Sequence, residues 1–131
     1  MLKKINLFAF VTMFTFLLIP QNDAVAQGRN VEEVEFTVLG NCGMCKDRIE
    51  RAAYSVRGVR SANWNQEQQK LIITFRTDRT DQETIERTIA KAGHDTENFI
   101  TDEETHANLH HCCIYPRDPE MLENNRLYNE E

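Results

Sequence analysis

An excess of positive charge is missing from this sequence: 15 Lys and Arg stand against 21 Asp and Glu, leaving a formal charge of −6. No nucleic-acid partner is expected, because gripping a phosphate backbone needs a clustered positive face. Glycine is scarce, with five residues in all, and none of them builds a Gly-rich phosphate-cradling loop. The carboxylates are scattered over polar stretches and no Ser-His-Asp spacing recommends itself, so the chain reads as a binding protein and not an enzyme. There is no internal repeat and no low-complexity tract, and between residues 21 and 115 there is no proline.

Long apolar runs are also rare. The one present, Ile5 to Ile19, follows a basic start at Lys3 and Lys4 and ends at Pro20, with Ala24-Val25-Ala26 as an Ala-x-Ala cleavage site. It is short for a spanning helix of ~20 residues. Residues 1–26 are therefore expected to be a signal peptide, and the remainder an exported protein, periplasmic or secreted, of one small domain and little more.

What is present is concentrated sulfur. Cys42 and Cys45 form a Cys-x-x-Cys pair where an alternating strand gives way to a helix. Two thiols at a helix start converge, and the unpaired N–H groups there favour the thiolate. Such a pair holds a soft metal ion or exchanges a disulfide. Two thiolates suit ions that accept near-linear coordination, Cu(I) or Hg(II), whereas Zn(II) wants four ligands. In an oxidising compartment a local disulfide is the competing outcome, but so short a loop would stabilise little.

The surrounding pattern is βαββαβ. Val34, Phe36 and Val38 alternate with polar residues as a strand, and Ile49, Ala52, Ala53 and Val56 make a helical stripe that Gly58 ends. Val59 to Trp64 and Leu71, Ile73 and Phe75 read as a hairpin, with Trp64 expected to pack. Asp81 caps a second helix with Ile85, Ile89 and Ala92 on one face, Gly93 stops it, and a short strand around Thr96 to Phe99 completes the unit. The fold predicted is α+β: a ferredoxin-like sandwich with a four-stranded antiparallel sheet and two helices on one face. Right-handed crossovers bring Gly93-His94 to the same end as the Cys pair. His94 is then either a third ligand, which would admit Zn(II), or a cap of the helix end.

Residues 100–131 lose periodicity and read as an extended acidic tail whose one dense feature is His110-His111-Cys112-Cys113. Three fates are open to it: auxiliary ligands folding over the first site, an independent weak site, or a disulfide to Cys42 or Cys45. Neighbouring residues of an extended chain point apart, so a turn is needed for both sulfurs to reach one ion. Lys46, Arg48, Arg51, Arg57 and Arg60 cluster near the Cys pair, as a solvated helix face or a dock for an acidic partner.

The phrases Gly40-Asn41-Cys42-Gly43-Met44-Cys45, Gly58-Val59 and Ala90-Lys91-Ala92-Gly93-His94-Asp95 make residues 31–99 resemble the heavy-metal-associated domain. That family includes copper chaperones, the N-terminal domains of copper-transporting P-type ATPases and the periplasmic mercury-binding protein. The resemblance implies that Cys42 and Cys45 bind Cu(I) or Hg(II) and pass it to a metal-transporting membrane protein or another metallochaperone. A metal-bridged homodimer is a further implication of an exposed pair. The family's Met two positions before the first Cys is Gly40 here, which implies a less pinned loop. Cys-Gly-x-Cys also resembles the thioredoxin site, giving a thiol-disulfide oxidoreductase as the alternative, but that family keeps a proline beside its disulfide.

Overall fold

The computed structural model describes residues 30–130. The signal peptide and its cleavage site, expected over 1–26, lie outside them. Strand β1 (Val31–Thr37) is followed by helix α1 (Gly43–Ser55), the hairpin of β2 (Val59–Asn65) and β3 (Lys70–Arg76), and helix α2 (Gln82–Lys91). These elements fall where the hydrophobic periods put them. Phe36, Val38, Leu71, Ile73 and Phe75 point inward at period two, and Ile49, Ala53, Ile85 and Ile89 meet them from the helices. Burying each large apolar side chain contributes about 1.5–3 kcal/mol, enough in sum to hold the sandwich together.

Local chemistry sets the ends. The Asp81 carboxylate accepts from the Thr84 N–H at 2.7 Å, capping α2 as its sequence suggests. Gly93 then turns the chain at φ +108°, a left-handed conformation that a side chain would strain. A Cβ there would also stand 2.6 Å from Leu109 Cδ2.

The sheet departs from expectation. It has three strands in the order β1-β3-β2, all antiparallel. The fourth contributes a single bridge, Thr96 to Val38. The chain then leaves the sheet because the buried Glu86 carboxylate draws in its polar groups: it accepts from Thr96 Oγ1 at 2.9 Å, Asn98 N at 2.9 Å and Asn98 Nδ2 at 2.8 Å. Residues 99–100 become β4 (Phe99–Ile100), which pairs in parallel with β5 (Arg126–Leu127) as a separate two-stranded sheet.

The segment after β4 is not extended. It forms helix α3 (Glu103–Ala107), a 3₁₀ turn (His111–Cys113), helix α4 (Pro119–Asn124) and β5. Leu109, Cys113 and Tyr115 join the main core. Its order comes from caps and one ion pair. Asp102 accepts from Thr105 N at 2.8 Å, and Asp118 accepts from Glu120 N at 2.9 Å with Pro119 opening α4. Arg117 forks onto Asp95 through Nε at 2.9 Å and Nη2 at 2.7 Å. Its Nη2 also donates to Thr101 O at 2.7 Å.

Candidate metal centre

Cys42 is the N-cap of α1, which sets its sulfur at the start of that helix. It lies 3.6 Å from Cys45 Sγ. The C-terminal segment adds two more sulfurs, Cys112 Sγ at 3.3 Å and Cys113 Sγ at 3.7 Å from Cys42 Sγ. Cys112 and Cys113 are themselves 3.9 Å apart. The 3₁₀ turn, closed by Cys113 N donating to His110 O at 2.7 Å, is what lets two adjacent cysteines face one point. All four are free thiols. Cys42, Cys112 and Cys113 form a group whose sulfurs lie within 4.8 Å of one another.

Burial divides the set. Cys42 and Cys112 are half-buried, while Cys45 and Cys113 are closed off from solvent. The Cys-x-x-Cys pair is therefore not an open clamp: its second member is buried, with Cys113 of the C-terminal segment beside it. Burial acts to raise the Cys42 thiol, but hydrogen bonds to its sulfur from Cys112, the Cys45 N–H and the Cys45 and Cys113 thiols outweigh that and bring it down to about 7. Cys113 is pushed up by burial and then by the neighbouring Cys45 and Cys42 sulfurs, and Cys112 is raised chiefly by its bond to Cys42. Among Cys42, Cys112 and Cys113, it is thus Cys42 that carries charge most readily.

Trp64 explains how the loop manages with glycine at position 40. Its indole Nε1 donates to Val38 O at 2.9 Å. Its ring edge lies where a side chain at position 40 would go, 2.9 Å from an ideal Cβ, with Cys45 Cβ at 3.0 Å. The loop is pinned from beneath by this ring, not left loose. The Asn41 N–H donates to Cys45 Sγ at 3.3 Å, and Gly40 N donates to Gln69 Oε1 at 2.8 Å.

His94 arrives at the expected end of the sheet but not at the sulfurs. Its Nδ1 is 2.9 Å from Leu39 O, and its ring stacks on Tyr115 with centroids 5.6 Å apart. Its buried Nε2 has no hydrogen-bond partner among the described residues. Burial, reinforced by the Arg48 charge, holds it neutral by lowering its pKa to about 4. It is a buried ring beside Tyr115 of the C-terminal segment, outside the group of three sulfurs.

Met44 escaped the sequence reading, and His110, read as part of the donor-rich His110-His111-Cys112-Cys113 cluster, joins it at the site. Met44 Sδ lies 3.4 Å from Cys112 Sγ, and His110 Nδ1 lies 3.3 Å from the same sulfur. Met44 was visible inside the motif, but only the fold of the distant segment makes it a neighbour of Cys112. Of the basic cluster, Lys46 is committed to the fold, donating to Glu50 Oε1 at 2.6 Å and Trp64 O at 2.7 Å.

Residues 41–95 match the heavy-metal-associated domain family, a span that holds Cys42, Cys45 and His94. The chain carries a heavy-metal-associated domain. Solved structures overlay on about half of it. A CopZ metallochaperone is 26% identical, over 50% of this chain and 98% of that one, at a TM-score of 0.48. The copper-binding domain of HMA7, a P-type ATPase, is 27% identical over 50% and 89%, at 0.48. Oxidized MerP from Ralstonia metallidurans CH34 is 24% identical over 51% and 94%, at 0.49. No curated protein matches the chain. The heavy-metal-associated domain accounts for the first loop and its pair, and the sulfurs at 112 and 113 lie beyond the matched span.

Proposed function

We propose that this protein is an exported, non-enzymatic carrier that captures a soft thiophilic ion, Cu(I) or Hg(II), through Cys42 and Cys45 and passes it on or sequesters it. The observation that carries the reading is the Cys42 sulfur, half-buried, lowered to about 7 and 3.6 Å from Cys45 at the start of α1. At neutral pH such a sulfur is substantially thiolate, the form that ligates and the form that exchanges. Soft, polarisable ions are preferred by thiolates, and a pair without further nitrogen or oxygen ligands disfavours harder ones. Transfer would run by ligand exchange, an incoming thiolate binding the ion before Cys42 lets go, so that no free ion is released.

A membrane metal transporter or another metallochaperone fits as the acceptor, as expected of a heavy-metal-associated domain. A homodimer bridged through Cys42 would require Cys112 to withdraw from its 3.3 Å contact. The test is an anaerobic titration of the reduced chain with Cu(I) against a chromophoric chelator. Tight binding that disappears when Cys42 and Cys45 are both changed to Ser supports the proposal, and binding that persists refutes it. Catalytic insulin reduction by the metal-free chain would point to disulfide exchange instead.

A further inference from the structure

The geometry points to a second mode of binding at the same centre: Cys42, Cys112 and Cys113 form a three-thiolate site that retains the soft ion in trigonal coordination, with Cys42 shared between this site and the Cys42–Cys45 pair. This rests on the soft-ion reading above and adds to it two donors, Cys112 and Cys113, from outside the heavy-metal-associated domain.

Three observations carry it. The three sulfurs form a near-regular triangle, with sides of 3.3, 3.7 and 3.9 Å. An ion at its centre would stand about 2.1 Å from each, within a few tenths of an ångström of the ~2.3 Å bond that thiolate makes to zinc. Small outward rotations of the sulfurs therefore suffice. Second, the segment bearing Cys112 and Cys113 is docked on both sides by contacts that involve no metal. Before it, Leu109 packs on Gly93; after it, Tyr115 accepts from Asp95 N at 2.7 Å and Arg117 clasps the Asp95 carboxylate. The site is thereby preorganised, and little ordering entropy remains to oppose loading. Third, the 3₁₀ turn overcomes the geometric objection to adjacent cysteines sharing an ion.

Loading is a substitution without redox change. Each thiol gives its proton to water and an electron pair to the ion, so Hg(II) bound by three thiolates carries one net negative charge. The consequence is a division of labour within one centre. The pair loads and hands over, while the triad slows loss to competitors, because one more sulfur must be displaced before the ion departs.

Hg(II) is the probe. One equivalent is added to the reduced full chain, and the sulfur number is read by X-ray absorption, alongside retention against a competing small dithiol. The expected number is about three for the wild type and about two for C112S/C113S, with retention falling by at least about tenfold. Because Cys113 is buried, C112S alone, at a half-buried position, serves if the double variant does not fold. R117M, which frees the segment without removing a sulfur, is expected to lower the sulfur number likewise. Two sulfurs in the wild type, four with Cys45 included, or unchanged retention in the variants would overturn the triad while leaving the pair intact. No binding by the wild type would overturn the soft-ion reading itself.

Discussion

Residues 31–95 and residues 99–130 are ordered by different means. The first region is built on period: alternating strands and i, i+3, i+4 stripes meet in a continuous apolar core. The second has short elements of two to six residues, held by capping carboxylates, an Arg–Asp fork and three inserted side chains, Leu109, Cys113 and Tyr115. The difference teaches that the metal centre straddles a cooperative half and a latched half. Two sulfurs ride on the rigid part, and two are delivered by a segment attached by three inserted side chains and a handful of polar contacts. Such a segment belongs to the low-stability end of the molecule, from which moving parts are drawn.

The contrast can be broken most severely from the rigid side. Trp64→Ala removes the ring that pins the loop and fills the core. It is expected to cost about 3–5 kcal/mol of global stability, read from the denaturant midpoint, and to loosen both halves together. Asp95→Ala attacks the latch instead. It strands a mostly buried guanidinium and takes an acceptor from Thr101 N, at about 3 kcal/mol. The expected outcome is local: amide exchange accelerates over 99–128 while β1, β2 and β3 keep their protection.

pH probes the seam between the halves. His94 is held near 4 in the folded protein, against an ordinary value of 6.5. The unfolded chain therefore takes up the proton first. The contribution to stability is whole above about 6.5 and declines as pH falls toward 4, by on the order of 3 kcal/mol. His94→Phe, which keeps a ring against Tyr115, is expected to flatten that slope in acid unfolding curves. At the small end, Asp81→Ala deletes the α2 cap at about 1 kcal/mol, a thermal shift confined to the periodic half.

Much of the periodic half was legible because its signals are local. The stripes, the Asp81 cap and the glycine stops each depend on a few neighbouring residues, and the convergence of Gly93-His94 on the first loop followed from crossover handedness. The fourth strand misled because its alternation was too short to outweigh a buried carboxylate ten to twelve positions earlier, and nothing local marks Glu86 as buried. The C-terminal segment looked extended since its composition is polar. Its order lies in Asp102-x-x-Thr105, Asp118-Pro119 and Arg117, whose partner Asp95 is 22 positions away. Of the candidate site, Cys42 and Cys45 were evident from spacing, and Cys112 and Cys113 from density of donors. His94 was not, because whether a helix-end histidine faces solvent, a metal or a tyrosine is decided by what packs over it.

Trp64, the sole tryptophan of the chain, lies with its ring edge against Gly40, in the loop that leads into the Cys pair. The molecule thus carries its own optical gauge. Arrival of a heavy ion at the loop this indole packs against will dim its emission without any attached dye, and the time course of that quenching will report loading and hand-over in the unmodified protein.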